Sequence, residues 1–203
     1  MKWRYPGAER HGMVTVIIRG EGKMSAEKVY LRPISAADTA KVVEWRNKEF
    51  VRKNFIYQKP FTEEGHMTWL REQVEPGHVA QFIICVADRE IGSVYLRDID
   101  REKETAEYGV FIGEEEALGR GYGTAAARLM LEYGFETLGL KKIFLRFVEG
   151  NTGARKSYEK AGFQMIEDKR ERVKLEQGER AVFFMETERG AWERVKRLGM
   201  EKI

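Results

Sequence analysis

The sequence predicts an α/β fold built on a mixed, mostly antiparallel central sheet with helices on both faces. Three observations carry that expectation. Strand-like runs alternate with helical patterns in the second half of the chain but follow one another directly in the middle, which argues against a purely parallel sheet. The longest apolar runs are only strand-length. A chain of 203 residues with 42% aliphatic and aromatic side chains can close one sizeable core and is short for two.

The stretch to about Lys28 holds Gly7, Gly12, Gly20 and Gly22 among scattered charges, with only Met13 to Ile18 strand-like, so residues 1–28 are expected to be an N-terminal extension. Met24 precedes the first well-patterned segment and is a candidate natural start, which the intact mass of the endogenous protein would decide. Residues 29–190 are expected to form the single domain, and 191–203 a tail in a short helix. Val29 to Arg32 reads as a strand, and Ser35 with Asp38 three residues on resembles a capping box opening a helix to about Asn47. A second helix starts at Thr62, with Glu63 and Glu64 in its first turn and a stripe of His66, Trp69, Leu70, Gln73 and Val74, and stops at Pro76-Gly77.

Gln81 to Ala87 and Ile91 to Arg97 read as a hairpin turning at Asp88-Arg89-Glu90, followed by a charged loop from Asp98 to Lys103 and a strand from Thr105 to Ile112. Gly119 to Thr124 then opens a helix whose only charged stripe is Arg128, Glu132 and Glu136, which predicts packing around most of its circumference. Lys142 to Val148 is a strand, Asn151 to Ala161 a helix closed by Gly162, and the rest a charged hairpin turning near Gln177-Gly178 before Val182 to Met185.

Composition excludes several functions. Charged residues are 34% with a net charge of only +3, and acidic and basic side chains intermix, so a nucleic-acid role ranks last. Cys85 is the single cysteine and lies in an apolar run, which excludes an internal disulfide and suits a reducing cytoplasm. His11, His66 and His78 form no metal-binding cluster, and no membrane-spanning run or secretion signal is visible.

One motif carries chemistry. A strand leading through a glycine-rich turn into a helix leaves backbone N–H groups free, and these together with the helix dipole attract phosphate. Gly119, Gly121 and Gly123 suit close approach of a pyrophosphate, and Arg120 can add a charged contact. A phosphate-binding P-loop would need a lysine where Thr124 stands, and a dinucleotide fingerprint would need a glycine there. Taken alone, such a turn is as often a connection without a ligand.

The wider pattern resolves the choice. Ala106 to Gly113, then Leu118-Gly119-Arg120-Gly121-Tyr122-Gly123-Thr124, then Asn151 to Phe163 with Tyr158-Glu159-Lys160-Ala161-Gly162-Phe163 resembles the GNAT superfamily of N-acetyltransferases in order and spacing. The resemblance runs from about Val29 to Arg189. It is closest to the branch of ribosomal-protein N-terminal, spermidine and nucleotide-amino-sugar acetyltransferases, which the Trp45-Arg46-Asn47 and Val51-Arg52 segment also resembles. The family pattern begins with a polar residue where this chain has Leu118, which removes a side-chain contact and leaves the amide cradle.

The resemblance implies the GNAT fold and acetyl-CoA as co-substrate, with no metal. It implies that the strand Ala106 to Ile112 splays from Lys142 to Val148 so that pantetheine pairs with its free edge. Val110, Phe111 and Ile112 would line the cofactor, together with Gly119, Arg120, Gly121, Tyr122, Gly123, Thr124, Asn151 and Ala154. Asn151 is expected either to fix its loop or to touch the cofactor.

Amine attack on a thioester needs a neutral amine, an oxyanion donor and an acid for the thiolate. Tyr158 matches the family's acid, and a phenol near ~10 and a thiol near ~8.5 are close enough for proton transfer. Its helical face, shared with Ala154 and Ala161, also allows plain packing. Glu107 is the candidate base, with substrate charge pairing or a solvated strand position as equal alternatives. Backbone N–H groups near Phe111 and Ile112 are the oxyanion donors. Trp45, Arg46, Asn47 and Trp69 fall in the helices that wall the family's acceptor site, although packing explains the tryptophans equally well. His66 lies on the same stripe as Trp69, where packing or hydrogen bonding outweighs a role as base.

The acceptor implied is a primary amine of a small molecule, such as an amino sugar or polyamine, or a protein N-terminus. The alternative is a non-catalytic acyl-CoA sensor, which the presence of both Tyr158 and Glu107 disfavours. A homodimer through paired strands or an edge at Val182 to Met185 is possible on this reading.

Overall fold

The computed structural model describes residues 15–18 and 27–200. Eight strands form one sheet in the spatial order β1-β2-β3-β4-β5-β6-β8-β7. They are β1 (Thr15–Ile18), β2 (Glu27–Pro33), β3 (Ala80–Val86), β4 (Arg89–Asp100), β5 (Thr105–Ile112), β6 (Lys142–Val148), β7 (Gln164–Leu175) and β8 (Gly178–Glu188). Every neighbouring pair is antiparallel except β5 and β6. The α/β class with a mostly antiparallel sheet is therefore the observed one. Of the strand expected from Met13, the part from Thr15 is described and pairs with β2, while Met13 and Val14 lie outside the described residues.

Local chemistry sets the helix boundaries. A short turn at Ala36–Asp38 leads into α1 (Thr39–Asn47), and the Ser35 backbone N–H donates to Asp38 Oδ2 at 2.7 Å, the return half of a capping box. After α2 (Glu49–Arg52), helix α3 (Glu63–Trp69) is capped by Thr62, whose Oγ1 accepts from the Gly65 N–H at 3.1 Å, and it widens into a looser turn over Leu70–Val74. Gly121 precedes α4 (Tyr122–Glu132), Asn151 caps α5 (Thr152–Ala161), and Gly162 ends α5 in the left-handed region at φ 107°. Helix α6 spans Arg189–Met200.

Two apolar layers flank the sheet. On one face Leu129, Met130 and Leu131 of α4 join Tyr158 of α5, Trp192 of α6 and the inward residues Ala106, Tyr108, Ile143, Leu145 and Phe147. On the other, Val42 and Trp45 of α1, Val51 of α2 and Leu70 pack on Ile83, Cys85 and Phe111. The charged stripe of α4 is tied down: Arg128 donates to the Lys160 carbonyl at 3.0 Å, and Glu132 and Glu136 accept from Lys196 of α6 at 2.8 and 3.0 Å. Among the described residues no helix is long and apolar enough to cross a membrane.

Three expectations are corrected. The β3–β4 turn is Ala87-Asp88, not Asp88 to Glu90, because both residues take positive φ (46° and 65°), the geometry whose twist matches paired strands. The expected loop from Asp98 begins inside β4, which runs on to Asp100 across an irregularity after Arg97. Asp100 then closes the turn by accepting from the N–H groups of Glu102 and Lys103 at 3.0 and 2.9 Å. Val182 to Met185 is not an edge, because β8 is paired on one side with β6 and on the other with β7. At that end of the sheet the edge is the charge-rich β7, which suits solvent better than a strand-to-strand dimer.

Candidate active site

The parallel pairing of β5 with β6 begins at Thr105 with Lys142 and ends at Tyr108 with Leu145. Beyond that point β6 keeps its antiparallel partner β8 to Val148, and β5 keeps β4 to Ile112. Gly109 to Ile112 therefore have a sheet neighbour on one side only, and a wedge opens between the two central strands. Side chains alternate around it. Val110 and Ile112 lie against the layer of α4 and α5, while Phe111 is buried in the layer of α1 to α3.

Gly119 and Gly121 stand just before α4 at φ 74° and 84°, a backbone region that side chains disfavour. A Cβ built at either would meet nothing within 4 Å, so the cradle above the helix start is open space. Gly123 and Thr124 face α5 instead: a Cβ on Gly123 would lie 3.3 Å from Ser157 Oγ, and Thr124 Oγ1 lies 3.0 Å from the same atom. Tyr122 is buried, and its hydroxyl donates to the Glu27 carboxylate with the Arg120 side chain beside it. Leu118, just before the first of these glycines, is exposed. Asn151 fixes its loop, Oδ1 accepting from the Ala154 N–H at 3.2 Å, and Ala154 is half-buried against the core.

Tyr158 sits where the central strands part. Its ring meets Tyr108 of β5 edge-on at 6.0 Å, Phe147 of β6 at 6.1 Å and Phe163 at 6.1 Å. Its hydroxyl has no hydrogen-bond partner among the described residues, and burial pushes its pKa above the ordinary phenol range, as it does for Tyr108. Tyr95 of β4 lies across Gly109. A Cβ there would come within 2.3 Å of the Tyr95 ring, so that glycine makes room for it. Burial also raises the Tyr95 phenol, against the pull of Arg97, Arg46 and Arg146.

Glu107 is buried and clasped. Arg97 Nη2 donates to Oε1 at 2.8 Å, while Arg146 donates from Nε to Oε1 and from Nη2 to Oε2, each at 3.1 Å. Of the readings open for Glu107, charge pairing is the one visible here, although its partners come from the protein. The sequence offered no cue to either arginine, since β4 and β6 bring them together only across the sheet. Glu107→Gln strips the negative charge from between two guanidinium groups, and we expect a loss of roughly 1–3 kcal/mol, read as a lower denaturation midpoint.

The residues expected to wall the acceptor are mostly packed. Trp45 is fully buried over Gly113, and Nε1 donates to Glu114 Oε1 at 2.8 Å. His66 is 1% exposed, with Nδ1 3.0 Å from Thr39 Oγ1, and burial lowers its pKa. Trp69 Nε1 donates to Gln81 Oε1 at 2.9 Å. Asn47 clamps a loop: Nδ2 donates to the Phe61 carbonyl and Oδ1 accepts from the Phe61 N–H, both at 2.8 Å. That loop, residues 53–61, receives the tip of the β7–β8 hairpin through Gln58, whose Oε1 accepts from the Glu176 N–H at 2.9 Å. Arg52 donates to Glu176 Oε1 at 2.6 Å. The pair roofs the α1–α3 side and had no signal in the sequence. Of the five residues, Arg46 carries a charged group that pairs with no carboxylate among the described residues.

A half-open parallel pair beside a glycine cradle at a helix start, in a mostly antiparallel sheet, is the architecture of an N-acetyltransferase. Residues 28–164 match the family model described as acetyltransferase (GNAT) domain, and the chain belongs to that family. It is 28% identical over 142 residues to the spermidine N(1)-acetyltransferase of Escherichia coli (strain K12), covering 70% of this chain and 75% of that one. It is also 28% identical over 149 residues to an uncharacterised Methanocaldococcus jannaschii protein, MJ1062, covering 71% of this chain but only 30% of that protein. Among solved structures, spermidine N-acetyltransferase from Vibrio cholerae in complex with CoA and spermine shares the fold. The TM-score is 0.75 at 21% identity, over 81% of this chain and 97% of the other.

Proposed function

We propose that this chain transfers the acetyl group of acetyl-CoA to a primary amine of a small molecule, such as an amino sugar or polyamine, or of a protein N-terminus, by direct attack. The observation that carries the reading is the Tyr158 hydroxyl, without a hydrogen-bond partner among the described residues, standing where the unpaired stretch of β5 begins. Acetyl-CoA supplies the thioester. The chain's residues hold it: backbone N–H groups from Gly119 to Thr124 and the Arg120 side chain take the pyrophosphate, and the open edge from Val110 to Ile112 takes the pantetheine amides.

Free N–H groups of that edge stabilise the oxygen as the amine nitrogen bonds to the carbonyl carbon. Tyr158 donates its proton to sulfur as the carbon–sulfur bond breaks. The proton lost by the amine leaves through water. Both oxygens of Glu107 are already held by arginine donors, so Glu107 serves this relay by position and charge.

Calorimetric titration with acetyl-CoA, followed by thiol release over a panel of amines, tests the proposal. Binding with thiol release for one amine class is expected. Binding without release for any amine would instead favour the acyl-CoA sensor, and no binding would remove both readings.

A further inference from the structure

We propose that the acceptor is an amine that also carries an anionic group, a carboxylate or a phosphate, which Arg46 binds on the α1–α3 side of the sheet. The proposal rests on the acetyltransferase reading and narrows its acceptor.

Arg46 extends from α1 and is 8% exposed. Its guanidinium carbon stands 3.3 Å from the centre of the Phe55 ring, 5.3 Å from that of Phe61 and 5.9 Å from that of Phe111. Nη1 is buried with no hydrogen-bond partner among the described residues. Among the described residues no carboxylate pairs with Arg46. Glu107 holds Arg97 and Arg146, Glu114 holds Trp45 and Lys48, and Glu176 holds Arg52. Aromatic faces offset only part of what burying an unpaired guanidinium costs, so the geometry favours an anion from outside the chain.

That anion would sit beside the reaction centre. Tyr95, which crosses Gly109 at the mouth of the wedge, lies near Arg46, Arg97 and Arg146 together and near Tyr158. Three guanidinium groups against two carboxylates, Glu107 and the Asp98 that pairs with Arg97, leave this side with one net positive charge. A polyamine would meet like charge there. A carboxylate or phosphate meets a planar fork suited to bidentate hydrogen bonds.

The test follows thiol release by the full chain at saturating acetyl-CoA with matched amines. These are spermidine, glucosamine, glucosamine 6-phosphate, and two peptides with free N-termini that differ only in acidic against neutral side chains. An anionic amine is expected to exceed its neutral counterpart in kcat/KM by on the order of tenfold. Whether the phosphate or the carboxylate arm responds tells which group is read. Arg46→Met should abolish that preference through KM, and Arg46→Lys should keep part of it, with acetyl-CoA affinity unchanged in both.

Preference for spermidine or for the neutral amines, or a preference that survives Arg46→Met, overturns the proposal and leaves the acetyltransferase reading standing. Failure of acetyl-CoA to bind overturns both. Should Arg46→Met not fold, inhibition of the native chain by inorganic phosphate and by succinate at saturating acetyl-CoA decides. Competition against the amine by either is expected, and its absence for both overturns the proposal.

Discussion

Replacing Tyr158 with phenylalanine is expected to lower turnover by ~10²–10⁴-fold, the usual weight of a positioned general acid, while acetyl-CoA affinity stays within about twofold. The substitution suits the question because the lost hydroxyl has no hydrogen-bond partner among the described residues. No buried group is orphaned, the ring contacts with Tyr108, Phe147 and Phe163 remain, and the denaturation midpoint should barely move. The pH dependence supplies a second check. Burial raises the phenol's pKa, so Tyr158 stays protonated and ready to donate as pH rises through the ordinary phenol value. The kcat profile should therefore climb as the amine deprotonates and show no fall near pH ~10 from loss of the acid. Unchanged turnover in the phenylalanine variant would remove Tyr158 from the mechanism.

Gly121→Leu is expected to weaken acetyl-CoA binding by on the order of a hundredfold, about 2.7 kcal/mol, as measured by calorimetry. Two physical effects act together. A leucine at φ 84° strains the backbone by roughly 1–2 kcal/mol, and its side chain enters the space through which a pyrophosphate would approach the free amides. Because a Cβ at this position meets no protein atom within 4 Å, the side chain itself damages no packing. Gly121→Ala separates the effects, since it carries most of the strain and little of the bulk. Equal affinity in both variants and the native chain would mean that the turn has another purpose.

The glycine cradle, the start of α4, the cap of α5 and the span of β5 could all be read from the sequence, because each is set by residues within a few positions of one another. Gly121 with its positive φ, Asn151 accepting from the N–H three residues on, and Gly162 closing α5 are local events. The β3–β4 turn was misplaced because Ala87 takes a left-handed conformation that pairing with β4 imposes and that alanine does not advertise. The walls of the acceptor side were half legible. Trp45, His66 and Trp69 lie in the named helices, but a helical stripe does not say whether it meets a ligand or a core, and here the three are packed or hydrogen-bonded internally.

By itself, then, the sequence determined the order of strands and helices, the mixed sheet and the glycine turn before α4, since periodicity, caps and glycines act over one or two turns of chain. Only the tertiary structure decided where β5 and β6 part company. That point depends on β6 keeping β8 while β5 keeps β4, a competition among strands far apart in sequence. It also decided that Glu107 is clasped by Arg97 and Arg146 and that Arg46 lies against Phe55 with no carboxylate partner among the described residues. A charge acquires its partners from whichever elements the sheet order and helix packing bring within a few ångströms, and local sequence holds no record of that distance.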